Sequence, residues 1–177
     1  MSLRTVIILV GSAIIVPLIM ILASGFGNDP HAVPFVLQGK KLPPVELVSL
    51  DGQKITLGGE KTKPIVVNFW STWCEPCKAE HLLLQEAAKA LNNKVEFYGV
   101  IYQDTPEKTR EYLQQKGSEY PHLLDPNSSV AMDFGITGVP ETVFMSAEGI
   151  VLHKHLGVLT PPILFKQLSE LVPGGLN

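Results

Sequence analysis

Apolar and polar positions change their period along the chain, and the changes mark out the elements. Val45-Glu46-Leu47-Val48-Ser49-Leu50 alternates, Asp51-Gly52 supplies a turn and Lys54-Ile55-Thr56-Leu57 returns, which predicts a β-hairpin. Residues 63–70 drop the alternation. Their apolar, β-branched run through Ile65-Val66-Val67-Asn68-Phe69-Trp70 predicts a strand buried on both faces, at the centre of a parallel sheet. From Glu75 to about Leu91 the period is helical: Leu82, Leu83, Leu84, Ala87, Ala88 and Leu91 stand against Lys78, Glu80, Glu86 and Lys89.

A second buried strand is expected over 95–102. A helix follows from Thr105-Pro106 to about Lys116, with Thr105 as its N-cap and Gly117 as its stop. His122-Leu123-Leu124 is short and extended, 127–134 a short helix and 135–140 a loop. Residues 141–146 and 150–156 form a second hairpin across Ala147-Glu148-Gly149, and a last helix runs over about 161–172. The order hairpin, βαβ, helix, hairpin, helix predicts an α/β sandwich, a central mixed sheet flanked by helices.

The N-terminus is of another kind. Met1-Ser2-Leu3-Arg4 precedes an apolar run from about Val6 to Ala23, long enough at about 1.5 Å per residue to cross most of a hydrocarbon core of about 30 Å. Pro17 is tolerable in a membrane helix. Arg4 is the only charge before the run, so the extreme N-terminus is expected to stay in the cytoplasm and the domain to lie outside, in the periplasm or its equivalent. A cleavable signal is the alternative, since Ala23 and Gly25 are small, but the run exceeds a usual signal core. The expected division is an anchor over 1–25, a short polar tether over 26–35 and one domain over 36–177.

A formal charge of -3 with no long run of like charge disfavours nucleic acid as a partner. The chain holds two cysteines, both in Trp73-Cys74-Glu75-Pro76-Cys77-Lys78. Between a buried strand and a helix, that spacing reads as a redox pair. A helix start favours a thiolate at Cys74, the expected nucleophile, and Cys77, one turn on, is placed to resolve a mixed disulfide. Two cysteines fall short of the four ligands of structural zinc, and His81 lies on the same helix. Lys78 stands where a haem-attachment motif needs His. A static disulfide over so short a ring would constrain the unfolded chain little. Neither a metal nor a cofactor is expected beyond the cysteine pair itself. His153 and His155 alternate along a strand; a shared metal is one reading, solvated histidines the other.

Phe69-Trp70-Ser71-Thr72-Trp73-Cys74-Glu75-Pro76-Cys77, with Gly138-Val139-Pro140-Glu141-Thr142 about sixty residues on, resembles the thioredoxin-like proteins of cytochrome c maturation, the CcmG/DsbE group, related to ResA- and TlpA-like proteins. The resemblance covers the chain from about Val36 to its end and implies a thioredoxin-like sandwich. It also implies a thiol:disulfide oxidoreductase that reduces the Cys-x-x-Cys-His segment of apocytochrome c or a haem-attachment (CcmH-like) partner, recharged by a DsbD- or CcdA-like membrane electron donor. The surrounding Pro-x-x-x-Thr-x-x-Cys pattern of peroxide-reducing relatives is missing. A general periplasmic reductase or oxidase and a non-catalytic adaptor remain as alternatives.

Pro140 is implied to be cis, with Val139 offering its backbone to an extended substrate and Trp73 a flat surface. Ordinary thioredoxins, by the same resemblance, carry a buried aspartate where this chain has Asn68. Glu80 and Glu141 are the candidates to exchange protons with Cys77 in its place, against a reading of both as solvated surface charge. Trp70 is expected in the core, and Lys78 beside the thiolate.

Overall fold

The computed structural model describes residues 2–25 and 37–172, in two compact units that divide between Pro34 and Phe35. The expected tether over 26–35 lies outside the described residues. The first unit is a helix, α1 (Leu3–Gly25), with Pro17 inside it. Its stretch Arg4–Ile21 is long and apolar enough to cross a membrane.

The second unit is a seven-stranded sheet in the order β2-β1-β5-β4-β3-β6-β7. The first hairpin is β1 (Val45–Ser49) and β2 (Lys54–Leu57), and the second is β6 (Glu141–Met145) and β7 (Val151–Leu156). Between them in the sheet lie β3 (Ile65–Trp70), β4 (Glu96–Ile101) and β5 (His122–Leu124), all parallel. Antiparallel pairing of β1 with β5 and of β6 with β3 makes the sheet mixed. The strand expected at the centre, β3, is interior and wholly buried, but β4 is the middle strand. The apolar run records burial on both faces, which any strand covered on both sides shares, so it does not single out the middle one.

Alternation along β3 sends its side chains to two different layers. Ile65, Val67 and Phe69 pack with Val100, Leu123, Val143 and Met145 against Val130, Ala131 and Phe134, the last three from the short helix α4 (Ser129–Asp133) and its C-cap. Val66 joins Phe144 and Phe97 under Leu84, Ala88, Leu164 and Leu168. Those last four belong to α2 (Glu75–Ala90) and α5 (Pro161–Leu171), whose buried residues follow the helical period. Burying side chains of this size contributes roughly 1.5–3 kcal/mol each. The remaining helix, α3 (Pro106–Lys116), starts at Thr105, whose hydroxyl accepts from the Lys108 amide, and stops at Gly117, where φ is 88°.

Candidate active site

Strand β3 delivers the chain to the start of α2, and the turn between them is tied down. The Asp104 carboxylate accepts from the Thr72 amide and hydroxyl at 2.6 Å each, while Ser71 donates to the Tyr102 carbonyl. Cys74 then takes the N-cap of α2, with extended φ and ψ of -88° and 102° and Pro76 in the first turn. Cys74 and Cys77 are joined by a disulfide, S–S 2.05 Å. The Cys77 amide donates to Cys74 Sγ at 3.2 Å, so the N-terminal dipole of α2 and an orphan helix donor both favour negative charge on that sulfur.

Trp70 packs against the pair from below, and Tyr112, Leu113 and Val139 close around it. The Val139-Pro140 peptide bond is cis, as implied. Pro140 is anchored through its carbonyl, which accepts from the Gly157 amide at 2.9 Å. The Val139 main chain makes no hydrogen bond among the described residues. Trp73 is 56% exposed, its indole N–H donating to the Gln103 carbonyl at 3.1 Å. Lys78 sits beside the motif, but its ammonium pairs with Glu75 at 2.6 Å near the surface.

Neither candidate glutamate is solvated: Glu80 is 1% and Glu141 3% exposed. Glu80 follows Cys77 by one turn of α2 and lies over β3, where Asn68 Nδ2 donates to its Oε1 at 2.8 Å and the Leu159 amide to its Oε2 at 2.6 Å. Burial raises its pKa to about 7, against the pull of these two neutral donors. Glu141 is held otherwise. Its Oε1 accepts from the Thr137 amide at 3.0 Å, the Thr137 hydroxyl at 2.6 Å and the Gly138 amide at 3.0 Å, and its Oε2 pairs with Lys154 Nζ at 2.8 Å.

Asn68 belongs to a row that crosses the sheet on the α2 side. Strand register sets Thr142 beside Asn68, Asn68 beside Gly99 and Gly99 beside His122. Asn68 Nδ2 also donates to Thr142 Oγ1 at 3.0 Å. Gly99 has no side chain because there is no room for one: a Cβ would lie 2.3 Å from His122 Nδ1 and 2.9 Å from Trp70 Nε1. In that space the Trp70 indole N–H donates to His122 Nδ1 at 3.0 Å. An indole nitrogen only donates, so His122 Nδ1 is the acceptor and the ring is the neutral Nε2–H tautomer. Burial lowers the His122 pKa to about 3, with His81 adding to the fall, and burial lowers that of His81. Both rings are uncharged at neutral pH, and His81 packs edge-on against Tyr112 with centroids 5.3 Å apart.

The structure thus gathers Cys74, Cys77 and Val139, sets Glu80 one helical turn behind them and ties Glu141 into the loop that carries Pro140. His153 and His155 stand apart from this group, and His155 Nε2 contacts the Val158 carbonyl. Among the described residues, no three His, Cys, Asp or Glu form a metal-holding cluster. Lys154, Thr137, Gly99, His122 and the Leu159 amide were not singled out from the sequence, and Thr142 was named only as part of the Gly138–Thr142 motif. One signal was available: a glycine inside the apolar strand Phe97-Tyr98-Gly99-Val100 marks a close approach.

The family model described as Redoxin matches residues 37–171. The chain belongs to the Redoxin family. Its relatives include the thiol:disulfide interchange protein HelX of Rhodobacter capsulatus, 36% identical over 152 residues that cover 83% of this chain and 84% of HelX. The thiol:disulfide interchange protein DsbE of Escherichia coli K12 is 32% identical over 153 residues, 82% of this chain and 79% of DsbE. The solved structure of MTB dsbF superposes with a TM-score of 0.65 at 27% identity, covering 80% of this chain and all (100%) of that one. StoA from Bacillus subtilis, at 19% identity and a TM-score of 0.63 over 76% of this chain and 99% of its own, shares the fold. This Redoxin member is a thiol-disulfide oxidoreductase with a thioredoxin-like fold.

Proposed function

We propose that the protein is a membrane-anchored reductant acting on the periplasmic side, with residues 1–25 as its anchor and 36–177 as its catalytic domain. Its target is the disulfide of the Cys-x-x-Cys-His segment of apocytochrome c, or that of a haem-attachment partner. The reduced Cys74 thiolate attacks one target sulfur, the target disulfide breaks, and the second target sulfur leaves as a thiolate. Cys77 then attacks Cys74 Sγ and expels the first target sulfur. The target gains two electrons and this chain returns to the Cys74–Cys77 disulfide, to be recharged by a membrane electron donor that supplies two electrons and two protons.

One observation carries this reading: Cys74 caps α2, and its disulfide cluster packs against Val139, whose main chain has no hydrogen-bond partner among the described residues. An extended peptide pairing with that edge lays its own disulfide across Cys74. Trp73 supplies an exposed apolar wall to the same peptide. Glu80 takes the proton of Cys77 as the resolving thiolate forms, since a carboxyl with a pKa of about 7 exchanges protons at neutral pH. Glu141 holds the platform loop. The target rests on likeness to the CcmG/DsbE group through Gly138–Thr142 and on the DsbE and HelX relatives.

The test is the equilibrium reduction potential of the full chain in detergent, with trapping on a Cys77→Ser variant. A potential near or below about -200 mV and a mixed disulfide between Cys74 and apocytochrome c are expected. A potential near about -120 mV would make the protein a disulfide donor. Failure to trap apocytochrome c while other exported proteins are trapped would remove the target.

A further inference from the structure

The loop 135–140 is fixed from one side by a buried ion pair. Glu141 Oε1 gathers the amides of Thr137 and Gly138 and the Thr137 hydroxyl. Lys154, on the neighbouring strand β7, reaches under the loop. Its Nζ donates to Glu141 Oε2 at 2.8 Å and to the Gly135 carbonyl at 2.7 Å. Both side chains are nearly sealed from water, at 7% and 4% exposure. One cation therefore ties the first residue of the loop to the carboxylate that holds its middle. Once Glu141 has taken the Thr137 and Gly138 amides, Val139 follows directly with its main chain unpaired.

We infer that Lys154 is a positioning residue for substrate, holding the Gly135–Pro140 loop so that the Val139 main chain meets an extended peptide at the height of Cys74. This rests on the proposed pairing of peptide with Val139. Lys154 touches neither reacting sulfur nor substrate and works through Glu141 and Gly135. A small disulfide that reaches Cys74 without lying on the loop has no need of it, so the residue separates large from small substrates. Arginine can supply the same charge and more than one donor, whereas methionine keeps the length and loses both.

The test compares the full chain in detergent with Lys154→Met, Lys154→Arg and the double variant Lys154→Met/Glu141→Gln, all reduced, in single-turnover reactions. One substrate is an extended peptide with an internal disulfide, and the other is 2-hydroxyethyl disulfide. Lys154→Met is expected to raise the half-saturating peptide concentration at least tenfold, with less than a twofold change in the rate on the small disulfide, and Lys154→Arg to recover most of the loss. The double variant removes the unpaired buried charge and guards against misfolding, and it should stay impaired on peptide because the Gly135 tie is still missing. Recovery of wild-type saturation in the double variant, or an equal loss on both substrates, would overturn the inference. In the wild type alone, haem-motif and scrambled flanks are compared in the same peptide: equal rates would sink the proposed target and leave the Lys154 result standing.

Discussion

Glu80 and Glu141 are two carboxylates about equally hidden from water and very differently provided for. Glu141 has a lysine at 2.8 Å and three donors from a single loop, so its charge is matched where it sits. Glu80 has two donors, one amide side chain and one main-chain amide, neither of them charged, and burial pushes its pKa to about 7. Hydrogen bonds from neutral groups recover part of the lost hydration of a buried anion, and a cation recovers much more. A buried carboxylate with a cation braces structure, and one without it is left able to trade a proton at neutral pH. The same contrast explains Asn68. With the titrating carboxyl on the helix, the strand beneath it must donate, and an amide donates where an aspartate would repel.

The harshest way to break the contrast is to strip Glu141 of its partner. Lys154→Met leaves an unmatched buried charge and is expected to cost about 3–5 kcal/mol, read as a lower urea midpoint. Removing the titrating group is next. The proton on Glu80 binds more tightly in the folded chain, at about 7 against 4.5, so its contribution is fully present below about pH 4.5 and is lost as pH rises through about 7. Glu80→Gln should delete that slope, worth about 3 kcal/mol between thermal melts at pH 4.5 and pH 8. A slope unchanged in the variant would refute the assignment. Asn68→Asp sets a second carboxylate where a donor stood 2.8 Å from Glu80, and about 2 kcal/mol should be lost at pH 8, with less lost at pH 5. Lys78→Ala breaks only a surface pair with Glu75, and its effect on unfolding should stay under about 1 kcal/mol.

Much of this was legible from residues close together in the chain. The alternation of Val45–Leu50 about Asp51-Gly52, the Thr105-Pro106 start, the Gly117 stop and the cysteine pair all reveal themselves through near neighbours. Glu80 and Glu141 could be named from their places in the motifs. What told them apart could not be read this way. The donor to Glu80 at Leu159 is 79 residues away, and Lys154 reaches Glu141 only because β6 and β7 pair. The row Thr142, Asn68, Gly99, His122 exists only in the register of four strands, joined to one another by three helix-containing connections. Partners that set charge and tautomer are contacts of the folded sheet, and the local pattern carries no trace of them beyond the single glycine at 99.

The claim that Glu80 is the group trading protons with Cys77 is tested most directly by the pH dependence of resolution. The quantity is the rate at which Cys77 displaces a thiol from the Cys74 mixed disulfide, followed from pH 5 to pH 9 in the wild type, Glu80→Gln and Glu141→Gln. The wild type should show an inflection near pH 7 that Glu141→Gln keeps and Glu80→Gln loses. An inflection that survives in Glu80→Gln and vanishes in Glu141→Gln would contradict that claim and return the role to the carboxylate under the platform.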